Sequence, residues 1–304
     1  MSVSDIATED ARLEALHRRL AENSLGGHWQ SREKTPPLKP FLWRWSVIYS
    51  CLMESGDVIK LGHDNEAANR RTVQLVNPML SAQKSTSRSL QMSVQLVKPG
   101  ERAECHRHTA AAIRFVVEGD GTGYTNVEGE QMFMESGDLV LTPNWTWHDH
   151  HNPAAAKQIV WLDVLDVPLA RYLDALFHGG YGEGPAQPII KPDGYCRQRL
   201  GTVRPRMAIR EEQALPYTYK WHDTLQTLKG LAAAGRIDPC DGVFLEYANP
   251  LTGGPTMPTI GCWVQWLAPG EATRGHRHTS TTIYHVIQGE GATTVGDRSG
   301  VGDD

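Results

Sequence analysis

The feature that most constrains the fold of this chain is an internal repeat. Residues 94–121 (VQLVKPGERAECHRHTAAAIRFVVEGDG) align without a gap with residues 264–291 (VQWLAPGEATRGHRHTSTTIYHVIQGEG), an offset of 170. Both copies keep a Pro-Gly-Glu turn and a His-Arg-His triplet at the same spacing. A repeat of about half the chain length indicates two copies of one domain rather than a solenoid.

Each copy has the pattern of short strands. Leu90, Met92, Val94 and Leu96 alternate with polar or small residues, which is the period of a half-buried strand, and residues 113–117 alternate in the same way. Gly and Pro turns separate these runs at intervals of about ten residues. The sequence therefore predicts an all-β fold with a few helices, built from two barrel or jelly-roll domains.

Helical signals lie outside the repeats. Leucines at helical spacing mark residues 8–23, and residues 222–235 read as a second helix that ends at a glycine. Residues 179–216 are rich in Gly, Pro and Arg and are expected to form a loop. We therefore predict an N-terminal helical or extended arm (1–75), a first barrel (76–178), a linker with a helix (179–240) and an incomplete second barrel (241–304).

Composition excludes several classes of partner. The net charge of −5 offers no basic surface for nucleic acid or an anionic membrane, and short basic clusters such as Arg70-Arg71 are expected on the solvated surface. No apolar run approaches the roughly 18 residues of a membrane span, and the N-terminus has no secretory signal pattern. Five cysteines without a Cys-x-x-Cys pair predict a reduced, cytoplasmic protein.

Histidine spacing predicts a metal site. Eight of the 13 histidines lie in residues 106–151 and 276–285. His106 and His108 are two apart, so on a strand both project from one face, and His148 offers a third imidazole. A lone His-x-His pair is more often packed or on the surface, but two copies and a third histidine favour a metal. Imidazoles alone suit Fe, Zn, Cu or Ni.

Charge then favours an anionic ligand. Three neutral imidazoles leave the charge of a divalent ion uncompensated, which favours a chelating carboxylate. Arg114 is six residues from His108, so on a continuous strand it shares the inward face, where its guanidinium matches a carboxylate. The alternative is an outward arginine on the barrel wall.

Two motifs carry a family resemblance. The pattern G-x5-H-x-H, followed by G-x5-P-x-W-x2-H-x3-N, resembles the two cupin motifs over residues 100–152. The glutamate that usually follows the histidine pair is replaced by Ala112 and Ile113, which points to three histidine ligands. The segment HRHTAAAIRFVVEG, with the second half-repeat, resembles the gentisate 1,2-dioxygenase group over about residues 40–291. This group includes salicylate, substituted-salicylate and 1-hydroxy-2-naphthoate 1,2-dioxygenases.

The resemblance implies a bicupin homotetramer with an extradiol-type 1,2-dioxygenase activity. The reaction opens a 2-hydroxybenzoate ring between the carboxyl- and hydroxyl-bearing carbons with O2. The implied cofactor is one Fe(II) per chain in the first barrel, held by His106, His108 and His148. The implied substrate is gentisate or a 5-substituted salicylate such as 5-nitrosalicylate, with salicylate and 1-hydroxy-2-naphthoate as alternatives.

Further site residues follow from the same resemblance. Arg114 would pair with the substrate carboxylate, and the other pocket-lining residues would be Arg70, Gln95, His150 and Asp163. Arg114, His150 and Asp163 are the implied catalytic residues. The register at Arg70 is open, because Arg71 is adjacent.

The residues themselves give partial support to these roles. His150 is two residues from His148, so both can face the cavity, although a surface position is an equal alternative. Asp163 lies in an apolar strand and needs a partner such as a histidine or an arginine. Gln95 recurs as Gln265, so its role can be partly structural; Gln91 and Ser93 share its face.

The second copy carries His276 and His278 but no counterpart of His148 within the 304 residues. We therefore expect a shortened second barrel without a complete metal site, and an exposed sheet edge that is covered in an oligomer.

Two other classes of protein compete with the dioxygenase. One is another metal-dependent cupin, such as an oxalate-type decarboxylase or a sugar isomerase. The other is a non-enzymatic cupin that binds an aromatic acid.

Overall fold

The computed structural model describes residues 3–30, 36–61, 69–200, 216–296 and 298–302. The chain divides into two compact units, residues 1–39 and 40–304. The first unit contains helix α1 (Val3–Glu22), which confirms the helical signal near the N-terminus and begins earlier than predicted.

The second unit holds all the strands and the remaining helices of the described residues. In chain order the elements are α2 (Trp45–Val58), β1 (Thr72–Leu75), a 3-10 turn (Pro78–Leu80), β2 (Gln91–Val97), β3 (Arg102–His108), β4 (Ala112–Glu118), β5 (Asp120–Val127), β6 (Glu130–Glu135), β7 (Leu139–Thr142), β8 (His148–His151), β9 (Ile159–Leu165), α3 (Val167–Tyr172), β10 (His178–Gly180), α4 (Tyr195–Leu200), β11 (Tyr217–Tyr219), α5 (Trp221–Ala233), β12 (Val243–Glu246), β13 (Trp263–Trp266), β14 (Gly291–Val295) and β15 (Arg298–Gly302).

Two antiparallel sheets form the jelly roll that the strand pattern predicts. The first has six strands in the order β1-β2-β9-β4-β7-β11, and the second has five in the order β10-β3-β8-β5-β6. The sheets pack on each other through a buried apolar cluster. Val97, Val116 and Trp161 come from the first sheet, and Ala103 and Met134 come from the second. The predicted all-β fold with a few helices is confirmed.

The six-stranded sheet is buried on both faces. On its outer side Val94, Leu96 and Leu162 pack against Leu52 of α2, and the other half of that side is covered by α5 and the C-terminal segment. Every residue of β2 is therefore buried, whereas the alternating sequence predicts a strand with one solvated face. The polar residues of β2 face the barrel interior instead of water.

The barrel extends beyond its predicted limits on both sides. β1 lies in the predicted arm and pairs with β2. β10 begins at His178, the last residue of the predicted barrel, and pairs with β3, and β11 lies in the predicted linker and pairs with β7. Helix α5 occupies the predicted position near residues 222–235, followed by Gly235 at φ 66°. The predicted loop, residues 179–216, contains helix α4 at its described end, and its residues 201–215 lie outside the described residues.

The second copy of the repeat folds differently from the first. β12 pairs only with β13, and β14 with β15, in two separate two-stranded sheets among the described residues. Val243 and Val264 pack on the outer face of the first barrel, while Phe244 and Trp263 are exposed. His276 and His278 lie in a segment, residues 267–290, to which no strand is assigned.

Two expectations from composition can be compared with the structure. Within the described part of the chain, no helix combines the length and apolar character that a bilayer crossing needs. The five cysteines are all free thiols.

The packing of α2 on the sheet leads to a stability prediction. Leu52 is 0% exposed, so Leu52→Ala leaves a cavity under the helix and should lower the free energy of unfolding by about 2–5 kcal/mol. Val47, on the same helix, is 60% exposed, and Val47→Ala should change the free energy of unfolding by less than about 1 kcal/mol. Denaturant unfolding of both variants measures the difference. Equal losses would show that the helix is not held by its buried face.

Candidate metal centre

Three histidine side chains converge between β3 and β8. His106 lies directly opposite His148 across the two strands, after a bulge between Ala103 and His106. Opposed residues share a face, as do residues two apart on one strand, so His106, His108 and His148 point the same way. One ring nitrogen from each lies within 4.8 Å of the other two. The structure thus brings together the three predicted ligands.

The Nδ1 atoms of the three rings are held by the backbone. Nδ1 of His108 donates to the carbonyl of Ala110 at 2.7 Å, and Nδ1 of His148 donates to that of Thr146 at 3.0 Å. Nδ1 of His106 lies 3.3 Å from the carbonyl oxygen of Glu104. The bonds made by His108 and His148 fix the tautomers of those two rings and leave the lone pair of Nε2 for a metal. Nδ1 of His106 also lies against the guanidinium of Arg70, which can only donate.

Burial keeps these imidazoles neutral, which is the form that binds a metal. Burial lowers the pKa of His148 far below its ordinary value and is also the main reason that the pKa of His108 falls to about 4. Nε2 of His148 is buried and has no hydrogen-bond partner among the described residues. An orphaned buried nitrogen aimed at two other imidazoles is what a divalent metal site requires, so the residues present fit a metal.

The turn before His148 is fixed to β3. The N–H of Trp145 donates to the carbonyl of His108 at 2.8 Å, and Trp145 has a positive φ of 61°. The guanidinium of Arg107 lies over the rings of both Trp145 and Trp147, at 4.2 and 4.3 Å from their centroids. Cation–π contacts of this kind stabilise the turn and therefore the position of His148. The sequence analysis did not identify Arg107, although His-Arg-His recurs in both copies.

Arg114 faces the barrel interior, as predicted, and the outward alternative is wrong. It is opposite Asp163 across β4 and β9, and its Nε lies 3.0 Å from Oδ1 of Asp163. Arg114 also donates to the hydroxyl of Thr142, and Oδ2 of Asp163 accepts from the indole of Trp161 at 2.9 Å. Burial lowers the pKa of Arg114 and raises that of Asp163, while their mutual attraction opposes both shifts. The sequence predicts a histidine or an arginine as the partner of Asp163, and the structure shows the arginine.

The adjacent arginines 70 and 71 have different environments. The guanidinium of Arg70 donates to the carbonyl of Glu104 and lies against Nδ1 of His106, so it reaches the centre. Arg71 is 1% exposed and is paired with Glu101, with Nη1 2.9 Å from Oε1. The expectation that both lie on the solvated surface is wrong: Arg71 is buried and also donates to the carbonyls of Ile59 and Leu96, and Arg70 is only partly exposed.

His150 and Gln95 complete the interior polar set. His150 is buried on the face of β8 that carries His148, and the two ring centroids are 6.0 Å apart. Its Nδ1 lies 2.9 Å from the hydroxyl oxygen of Thr125. Nε2 of His150 and Nε2 of Gln95 are buried without a hydrogen-bond partner among the described residues. Both atoms are therefore available to a bound ligand.

His178 also belongs to this region, and the sequence analysis did not single it out. β10 places it opposite His108, and its ring stacks on that of His106 with centroids 5.1 Å apart. Partial desolvation against His106 and the charge of Arg70 lower its pKa. It carries no sequence signal, because it lies outside the repeated segment.

The second copy does not form a comparable centre. His276 and His278 are exposed, with ring centroids 4.6 Å apart, and His285 packs instead against Trp45 and Phe115. Nε2 of His276 lies 3.6 Å from a carboxylate oxygen of Asp241. Within the described ranges, the only group of three potential ligands is the one in the first barrel.

Comparison with known proteins agrees with this geometry. The model of the cupin domain family matches residues 93–165. The chain is 40% identical over 292 residues to a 5-aminosalicylate 1,2-dioxygenase from Comamonas sp, covering 93% of this chain and 76% of the relative. It is 39% identical over 306 residues to a 1-hydroxy-2-naphthoate 1,2-dioxygenase from Nocardioides sp. (strain KP7), covering 96% and 76%.

A solved structure gives the same result for the fold. The salicylate 1,2-dioxygenase from Pseudoaminobacter salicylatoxidans, in adducts with gentisate, superposes with a TM-score of 0.70 at 30% identity over 83% of this chain and 71% of that chain. The jelly roll, the three-histidine centre and these relatives agree with one another. The chain belongs to the cupin family of ring-cleaving 1,2-dioxygenases that includes the gentisate and salicylate 1,2-dioxygenases.

Proposed function

We propose that this chain is an Fe(II)-dependent dioxygenase that uses O2 to open a 2-hydroxybenzoate ring between the carboxyl- and hydroxyl-bearing carbons. The observation that carries the proposal is the convergence of three neutral imidazoles beside the buried guanidinium of Arg114, in a chain of this family. Three neutral ligands leave the charge of the metal to be balanced by an anionic substrate, as a hydroxybenzoate provides.

The proposed iron is one per chain, held by His106, His108 and His148. When bound, Fe(II) would supply open positions for a chelating carboxylate and hydroxyl and the redox capacity for reaction with O2. The protein's own part is to fix His108 and His148 through their Nδ1 atoms and to keep all three imidazoles unprotonated. Among the described residues the group contains no carboxylate, and three ligands leave more of the coordination sphere open than four would.

Arg114 and Arg70 are the proposed groups that bind the substrate carboxylate. Arg114 is held on one side by Asp163 and Thr142, so its guanidinium is oriented before a substrate arrives. Arg70 is attached to the backbone at Glu104 and lies on the His106 side of the centre. A preoriented planar guanidinium matches a carboxylate better than a flexible ammonium does. Asp163 would act through Arg114, as a positioning residue.

His150 is the proposed base for the substrate hydroxyl. The hydroxyl of Thr125 donates to the sulfur of Met134 at 3.2 Å, so its oxygen accepts from Nδ1 of His150. This bond leaves the lone pair of Nε2 free to take the phenolic proton. The amide of Gln95, whose nitrogen has no other partner among the described residues, is placed to donate to the same ligand.

The proposed substrate is gentisate or a 5-substituted salicylate. Gln91 and Ser93 are buried on the inward face of β2 with Gln95, so the side of the pocket that they form is polar. Nε2 of Gln91 donates to the carbonyl of Met92 at 3.0 Å, which fixes its position. Salicylate and 1-hydroxy-2-naphthoate are the alternatives, and the second is favoured by the relative that acts on it.

We also propose a homo-oligomer, the tetramer implied by the family resemblance. The exposed aromatic residues Phe244, Trp263 and Trp266 on the β12–β13 sheet are suited to cover by a subunit. Analytical ultracentrifugation tests this, and a stable monomer at micromolar concentration would contradict it.

We further propose that the protein lies in a reducing compartment such as the cytoplasm, because its five cysteines are free thiols.

Oxygen uptake by the iron-loaded protein tests the main proposal. The protein is loaded with Fe(II) under argon and offered gentisate, salicylate, 5-amino-, 5-nitro- and 5-chlorosalicylate, and 1-hydroxy-2-naphthoate. Uptake of one O2 per substrate with a ring-opened product supports the proposal and identifies the substrate. Absence of uptake across the panel with iron bound would contradict the substrate class.

Removal of one ligand should remove the metal. His148→Ala deletes a nitrogen from the three-histidine group, so iron content and oxygen uptake should both fall to background. His151→Ala is the matched control, because His151 lies on the same strand but on the opposite face. It should keep its iron, as measured by metal analysis. Full iron occupancy in His148→Ala would exclude His148 from the ligand set.

Replacement of Arg114 should weaken substrate binding without loss of iron. Arg114→Lys keeps the positive charge beside Asp163 but loses the planar fork, so the KM for the carboxylate substrate should rise about tenfold or more. Arg114→Ala is a poorer test, because it leaves the buried carboxylate of Asp163 without its ionic partner at a cost of about 3–5 kcal/mol in stability. Steady-state kinetics and iron analysis of Arg114→Lys provide the measurement. An unchanged KM would place Arg114 outside the substrate site.

A further inference from the structure

An edge strand places His178 beside the metal centre. β10 runs antiparallel to β3, with His178 opposite His108 and Gly180 opposite His106. Opposed residues in an antiparallel pair project from the same face, so His178 lies on the face that carries the ligand rings. Its ring is nearly parallel to that of His106, with an interplanar angle of 18° and centroids 5.1 Å apart.

His178 is not one of the metal ligands. It is absent from the only group of mutually close ligand nitrogens in the described part of the chain. The Nδ1 atoms of the ligand histidines and of His150 each have a hydrogen-bond partner, but no partner for either ring nitrogen of His178 occurs among the described residues. The side chain is exposed, whereas His148 and His150 are buried. His178 therefore presents a free donor and acceptor on the solvent side of the centre.

The two sides of the centre suit different parts of the substrate. The buried side carries Arg114, His150 and Gln95, which are the groups proposed for the carboxylate and the reacting hydroxyl. A ring held there by its carboxylate and reacting hydroxyl directs its far substituents away from the buried side, and His178 is the exposed imidazole on the face that carries the ligand rings. A second hydroxyl or an amino group can both donate to and accept from an imidazole, whereas chlorine and hydrogen cannot donate.

We propose that His178 is a specificity-determining residue that hydrogen-bonds a hydroxyl or amino substituent on the ring of the bound 2-hydroxybenzoate. The enzyme then favours dihydroxy- and aminobenzoates over salicylate itself and over halogenated salicylates. This inference rests on the proposed function, because it takes the metal-chelating edge of the substrate as given.

The test is a substitution that keeps the ring and removes its nitrogens. His178→Phe preserves a flat ring against His106 but cannot hydrogen-bond. The iron-loaded variant should lose about tenfold in kcat/KM for gentisate and 5-aminosalicylate, and change by less than about twofold for salicylate and 5-chlorosalicylate. Iron content should equal that of the wild type. His222→Phe is the matched control, because His222 is exposed on α5, which packs on the outer side of the other sheet.

Several outcomes would overturn the inference. Equal losses of kcat/KM on all four substrates, or loss of iron, would show that His178 supports the position of His106 rather than hydrogen-bonding the substrate. Unchanged kcat/KM for gentisate and 5-aminosalicylate would exclude the hydrogen bond. If His178→Phe does not fold, the pair His178→Asn and His178→Leu replaces it: only the asparagine should retain part of the preference for gentisate. Inactivity of the iron-loaded wild type on the whole panel would instead refute the proposed function.

Discussion

The antiparallel pairing of β3 with β8 is the constraint on which the candidate site depends. The bulge after Ala103 shifts the register so that His106, and not its neighbour, stands opposite His148. In a strand pair of period two, a slip of one residue would turn either His148 or the pair His106 and His108 out of the barrel, so the three ligands would no longer share a face. The carbonyls that hold Nδ1 of His108 and His148 belong to residues two positions away in the chain. The same short segments therefore supply the ligands and orient them.

The barrel interior can be polar because much of the apolar packing of the six-stranded sheet lies on its outer face. Leu52 of α2 and Val264 of the C-terminal segment cover its outer face, so β2 and β4 are held without a fully apolar interior. Arg114 and Asp163 can then be buried as an ion pair between strands. A buried pair contributes little net stability compared with apolar residues of the same size. Its retention is better explained by the orientation that it gives to a guanidinium beside the metal.

The fold and the grouping of His106, His108 and His148 could be predicted from the sequence because both depend on local periodicity. The two-residue spacing of His106 and His108 and the alternation in β2 and β4 determine which side chains share a face. The environments of Arg70 and Arg71 could not be predicted, since adjacent residues point in opposite directions and the register of β1 depends on its pairing with β2. His178 was missed for a related reason: its place beside His106 results from the pairing of a three-residue edge strand across a long loop.

The repeat shows that a His-x-His motif in the sequence does not by itself form a metal site. His276 and His278 reproduce the spacing of His106 and His108, and their rings are closer together, at 4.6 Å against 5.3 Å. They are nevertheless exposed, and no described strand stands beside them as β8 stands beside β3. The difference lies in what surrounds the pair: a third imidazole across the strand, burial that keeps the rings neutral, and carbonyls that fix the tautomers of His108 and His148. A histidine pair becomes a metal centre only when tertiary pairing supplies these three conditions together.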